Sequence, residues 1–123
     1  MTLLRLVQRG ASLRPMTLTI HRLSGTLGAE IHGANLLAGL SNADFDEIHQ
    51  AFLDHKVIVL RGQHGLSPDQ QKDFARRFGT LNIHPYVKGM DDHPELMEII
   101  KEPDEKTNFG GGWHSDMSFL EEP

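Results

Sequence analysis

The stretch His55-Lys56-Val57-Ile58-Val59-Leu60-Arg61-Gly62-Gln63 decides how this chain folds. Its apolar centre, Val57 to Leu60, is rich in β-branched residues and bounded by charge and glycine, a pattern that predicts a strand buried on both faces and places it in the core. Upstream, Ser41 and Asp44 have the spacing of a capping box, and Phe45, Ile48, Ala51 and Phe52 recur on one stripe, so a helix is expected to run to His55 and Lys56. Downstream, Ser67-Pro68-Asp69-Gln70 puts an N-cap, a proline at the first helical position and a capping glutamine in order. Phe74, Ala75 and Phe78 supply the apolar stripe before Gly79 ends that second helix. Further out, residues 17–23 alternate apolar and polar as a half-buried strand does, and a second short strand is expected over Ala29–His32, ending at Gly33. The resulting expectation is a mixed α+β fold.

Toward the C-terminus the signals thin. Leu81 to Val87 reads as a loop or short strand, residues 89–95 as a polar turn, and Leu96 to Lys101 as another strand. The acidic stretch 91–105 reads as a solvated loop, and Arg76 and Arg77 as solubilising charge. Glu102 to Gly112 is polar and Gly-rich and leads to Trp113, where a strand to Phe119 is expected. Residues 1–15 carry Arg5, Arg9 and Arg14 without an acidic residue and are expected to be a disordered leader or an overcalled start, leaving 16–123 as the domain.

Composition narrows the function classes. A chain of 123 residues with 38% hydrophobic and 24% charged residues suits one globular domain. A net charge of -5 argues against nucleic acid as a partner, since no basic footprint is present at whole-chain level. Absence of cysteine removes disulfides, Cys-ligated zinc, iron–sulfur clusters and thiol catalysis. No apolar run approaches a membrane span, and a cytoplasmic protein is expected. Any metal must therefore sit on His, Asp or Glu.

One segment offers such ligands: Gly110-Gly111-Gly112-Trp113-His114-Ser115-Asp116-Met117-Ser118-Phe119. In a strand, His114 and Asp116 project from the same face, which is how two ligands are presented to one ion. An imidazole and a carboxylate suit Fe(II), and a second histidine from elsewhere would complete a 2-His-1-carboxylate triad with open positions. Trp113 and Phe119 would anchor the strand in its sheet. The spacing is weak by itself, because roughly 0.6 His-x-Asp matches arise by chance in a chain of this composition. A surface strand with a local hydrogen bond is the competing reading.

Beyond single motifs, five collinear blocks resemble the taurine/2,4-D dioxygenase family: G-A-E-I-H-G-A-N-L (28–36), H-K-V-I-V-L-R-G-Q (55–63), L-S-P-D-Q-Q-K-D-F-A-R-R-F-G (66–79), I-H-P (83–85) and W-H-S-D-M-S-F (113–119). The resemblance implies an Fe(II)- and 2-oxoglutarate-dependent oxygenase that uses O2 to oxidise an unreactive C–H bond of a small, anionic organic substrate such as a sulfonate, by hydroxylation or oxidative cleavage. It implies the N-terminal portion of a double-stranded β-helix, a cupin-like jelly-roll with flanking helices. His114 and Asp116 would be iron ligands, and His84 matches a histidine that faces the substrate. Two positions depart from the family pattern: the tyrosine expected three residues after that histidine is here Tyr86, two after it, which would be the residue at the substrate, and a polar residue upstream of the Trp-His-x-Asp motif is replaced by glycine.

The same resemblance implies that the distal iron-binding histidine, an arginine for 2-oxoglutarate and most jelly-roll strands lie beyond Pro123, so the chain is expected to be a fragment or truncation. Strands lacking their neighbours expose edges, so a homo-oligomer or complementing chain covering Val57–Leu60 and Trp113–Phe119 is the expected partner of the chain on its own. The alternative from another class is a catalytically incompetent, truncated paralogue acting as a binding or regulatory module.

Overall fold

A computed structural model describes residues 17–115 and 118. The chain divides into two compact units, Met1–Asn82 and Ile83–Pro123. The first holds all of the regular structure among the described residues: β1 (Thr19–Arg22), β2 (Ala29–His32), α1 (Asn42–His55), β3 (Ile58–Leu60) and α2 (Pro68–Arg76).

β1 and β2 form an antiparallel hairpin that pairs Ile20 with Ile31 and His21 with Glu30. Its turn is tied by Ser24, whose Oγ donates to Leu27 O at 2.6 Å and accepts from Leu27 N at 3.0 Å, while Leu23 N donates to Gly28 O at 2.9 Å. β3 joins the other edge of β2 in parallel, Ala29 opposite Ile58 and Ile31 opposite Leu60. A parallel partner needs a crossover, and α1 supplies it.

Both expected helices form with their expected N-terminal caps, and the second ends at Arg76, ahead of the stop expected at Gly79. Ser41 Oγ accepts from Asp44 N at 3.1 Å, and Asp44 Oδ2 receives Ser41 N and the Ser41 hydroxyl at 3.2 and 2.6 Å. Asp44 is thereby buried with its polar atoms satisfied, as a buried carboxylate must be. Helix α1 stops at Lys56, which takes the left-handed conformation at φ 66° and returns its N–H to Phe52 O at 2.8 Å. Helix α2 starts from Ser67, with Gln70 completing the box and Pro68 just inside the helix. Gln70 Nε2 also donates to Leu37 O at 3.2 Å, fastening the loop before α1 to α2.

The core is one-sided. Leu18, Ile31, Ile48 and Ala51 are buried together, with Ala34, Leu40, Ile58, Leu60 and Phe74 packed around them. Complete burial of Ile48 alone contributes roughly 1.5–3 kcal/mol. Phe78 gathers the aromatic edge of this core, with ring centroids 4.9 Å from Phe45, 5.2 Å from Phe74 and 5.9 Å from Phe52.

Several sequence expectations need correction. The strand expected to be half-buried over residues 17–23 is Thr19–Arg22, and all four of its residues are exposed, since among the described residues it lies at the edge of the sheet. Val57–Leu60 is not a strand buried on both faces: the strand is Ile58–Leu60, each residue is half-buried, and Val57 is exposed. Among the described residues β3 has a strand neighbour on one side only and helix α1 covers one face of the sheet, so half of its surface stays open. Leu96–Lys101 is irregular, with Ile99 and Ile100 exposed; a strand needs a ladder partner, and none pairs with it among the described residues. Trp113–Ser115, the described start of the expected Trp113–Phe119 strand, is likewise not a strand, and Trp113 is fully exposed rather than anchored in a sheet. The expected leader, residues 1–15, lies outside the described residues, as do Asp116 and Phe119.

Candidate functional site

The residues singled out for chemistry all fall in the second unit, Ile83–Pro123. This unit is built from turns. Met90 N donates to Leu96 O at 2.8 Å, and Leu96 N to His93 O at 2.9 Å, closing a compact loop over the polar 89–95 segment. Gly89 is required at its base, because a Cβ there would lie 2.2 Å from Pro94 O.

His84 sits at the head of the unit, half-buried, in a turn it makes itself: its Nδ1 accepts from Tyr86 N at 3.1 Å and from Val87 N at 2.9 Å. Tyr86 presents its ring edge to the His84 imidazole at a centroid distance of 6.3 Å and is otherwise exposed. The two candidate substrate residues are thus brought together. Val87 continues into a hollow of about 550 Å3 within the same unit, whose apolar lining includes Met97, Ile99, Ile100 and Phe109.

The loop between this hollow and the Trp-His motif is held from within. Lys101 Nζ donates to Thr107 O at 2.7 Å and to Glu105 O, while Gly111 N donates to Asn108 O at 3.2 Å. A buckle of this kind, one ammonium satisfying several carbonyls, gives order to a segment without regular structure. The acidic residues around it are exposed, as a solvated loop requires.

His114 is oriented by the glycine run before it. Its Nδ1 lies 2.7 Å from Gly112 O, and since a carbonyl can only accept, Nδ1 carries the proton. That leaves the lone pair on Nε2, the arrangement in which a histidine binds a metal while its other nitrogen is held by a backbone carbonyl. Gly110, at φ 66°, lies against the ring so closely that a Cβ there would stand 3.4 Å from His114 Cε1 and 3.9 Å from Nε2. A side chain at residue 110 would therefore border the Nε2 side of the ring. His114 fits a metal ligand on these grounds; Asp116, its expected companion, lies outside the described residues, and among the described residues no three His, Asp or Glu side chains are gathered to hold an ion.

Two features went unread in the sequence. Arg77 is more than the solubilising charge its sequence context predicts: it donates from Nη1 to Leu40 O at 3.0 Å and from Nη2 to Asn42 Oδ1 at 2.9 Å, with its guanidinium 4.2 Å above the Phe45 ring. Glu30 receives Arg61 Nε on Oε2 at 2.8 Å and His32 Nε2 on Oε1 at 2.9 Å. The hydrogen bond from Arg61 is foremost in holding the Glu30 carboxyl below its usual pKa; burial opposes it, and the charges of Arg61, His32 and His21 act with it. The spacing of Glu30 and His32, two apart in β2 and so on one face, was the available signal for this network, with His21 opposite Glu30 on β1.

Comparison with known proteins places these features in a family context. The family model described as taurine catabolism dioxygenase TauD, TfdA family matches residues 19–123. An alkylsulfatase of Acinetobacter baylyi is 35% identical over 85% of this chain and 32% of its own length. An alpha-ketoglutarate-dependent sulfate ester dioxygenase of Pseudomonas putida is 34% identical over 86% of this chain and 34% of its own. An alpha-ketoglutarate-dependent sulfonate dioxygenase of Saccharomyces cerevisiae is 31% identical over 86% of this chain and 28% of its own. Among solved structures, a taurine dioxygenase from Burkholderia xenovorans superposes with a TM-score of 0.58 at 32% identity, over 63% of this chain and 28% of that one. The chain spans about a third of the length of the curated relatives it matches.

Proposed function

The chain belongs to the TauD/TfdA family of dioxygenases, and from that premise we propose that it forms the N-terminal part, residues 16–123, of an Fe(II)- and 2-oxoglutarate-dependent dioxygenase acting on a small sulfonate or sulfate ester. The observation that carries this reading is the hydrogen bond from His114 Nδ1–H to Gly112 O, which fixes the tautomer that a metal-binding histidine uses.

His114 and Asp116 would hold Fe(II), and a third ligand would come from outside the described residues or from a second chain. With 2-oxoglutarate and O2 the iron supplies the oxidation of a C–H bond, chemistry that no side chain provides. The work of this chain is placement. His84 would donate to the anionic head of the substrate, Tyr86 would flank it, and the apolar hollow that begins at Val87 would take a short hydrocarbon chain. An anion bound beside an apolar slot describes an alkyl sulfonate or alkyl sulfate, and the relatives named for those substrates support the assignment.

In the complete protein the sheet β1-β2-β3 would be one edge of a cupin-like jelly-roll; the open face of β3 supports this, as does the need of a single chain for a neighbour or second copy there. A cytoplasmic location goes with the reading. The test is succinate formation from 2-oxoglutarate under air: stimulation by an alkanesulfonate or alkyl sulfate is the expected result, and no stimulation by either class would contradict it.

A further inference from the structure

The turn at residues 84–87 does more to His84 than place it. Two backbone N–H groups, those of Tyr86 and Val87, converge on one ring nitrogen at 3.1 and 2.9 Å. A nitrogen that accepts two such bonds has its lone pair engaged and cannot carry a proton. The neutral ring has one N–H, so it is carried by Nε2. Protonating Nδ1 would set N–H against N–H and open the turn.

We propose that the Tyr86 and Val87 amides lock His84 as the Nε2–H tautomer, making it a neutral hydrogen-bond donor whose ligand atom must be an acceptor oxygen. The ligand half of this inference rests on the reading above in which His84 faces the substrate; the tautomer half does not. The lock has a chemical consequence. As a neutral donor His84 discriminates by geometry rather than by charge, accepting an oxyanion and rejecting an amine or ammonium, whose N–H groups would oppose its own. His84 is then unavailable as a general base, since the only nitrogen without a proton is held by the turn. Tyr86 and Val87 are positioning residues through their main chain, so their side chains are not what the lock requires.

Nuclear magnetic resonance on the full chain labelled with 15N-histidine tests this without metal, cosubstrate or turnover. At about pH 8, where a free imidazole is neutral, His84 is expected to show a fully protonated Nε2 and a fully unprotonated Nδ1. Shifts averaged between the two tautomers, or a proton on Nδ1, would overturn the proposal. Variants give a second readout. Asn carries an acceptor oxygen where His carries Nδ1, so His84→Asn is expected to keep the slow hydrogen exchange of the Tyr86 and Val87 amides, whereas His84→Ala is expected to speed both by about tenfold. Equal exchange in wild type and His84→Ala would overturn the lock. For the ligand half, methanesulfonate is expected to shift the Nε2–H resonance and methylammonium to leave it in place; the reverse order would overturn the donor assignment. A failed dioxygenase assay leaves the tautomer result standing, and an averaged tautomer leaves the dioxygenase reading standing.

Discussion

Arg77 lays its guanidinium 4.2 Å above the ring of Phe45, and the same group donates to Leu40 O and Asn42 Oδ1. It therefore clamps the end of α2 to the start of α1, covering an aromatic ring and satisfying the chain just before the helix cap. A planar fork can do both and an ammonium cannot. Arg77→Lys is expected to cost about 1 kcal/mol and Arg77→Ala about 2 kcal/mol in urea unfolding. Equal stability of the lysine variant and wild type would show the clamp to be idle.

Gly33 follows β2 at φ 88°, and a Cβ there would lie 2.3 Å from Thr17 O. The left-handed backbone and the collision add, so Gly33→Ala is expected to cost about 3 kcal/mol. Gly62 supplies the control: its φ is 74° but nothing lies within 4 Å of a Cβ, so Gly62→Ala is expected to cost only about 1 kcal/mol. Thermal melts of the two variants should separate clearly, and matching melts would mean that backbone conformation alone matters at residue 33.

Glu30 predicts a pH dependence. Its folded pKa lies below the ordinary value of 4.5 because Arg61 binds the ionised carboxylate, with His32 and His21 adding favourable charge. Between the folded and unfolded pKa the unfolded chain binds more protons, so stability rises with pH there. The contribution is complete above the unfolded value and is lost as pH falls through the folded one. Denaturant melts from about pH 6 down to pH 3 should fall more steeply for wild type than for Glu30→Gln. Parallel curves would remove Glu30 from the account.

Much of the first unit was legible in the sequence because its signals are local. Ser41 with Asp44 and Ser67 with Gln70 act within one helical turn, and both boxes form as read. β2 spans the expected Ala29–His32. What local pattern cannot report is which neighbours a segment meets. Val57–Leu60 looked doubly buried because apolar runs do not say whether a second layer covers them, and Leu96–Lys101 looked like a strand because β-branched residues do not supply a ladder partner. Arg77 looked like surface charge because its partners lie more than thirty residues upstream. At the candidate site, residue identity pointed to His84 and His114, but which ring nitrogen of each the backbone holds follows from turns whose geometry only the folded chain displays. Asp116 stands as a reading of the sequence, outside the described residues.

The central claim is that His114, with Asp116, holds an iron that chelates 2-oxoglutarate, and anaerobic titration of the full chain with Fe(II) and 2-oxoglutarate tests it most directly. A weak visible charge-transfer band is expected on forming the chelate. The band should vanish in His114→Ala and in Asp116→Ala and persist in His64→Ala, whose histidine is exposed in the first unit. No band in the wild-type chain, or one that survives His114→Ala, would contradict the account.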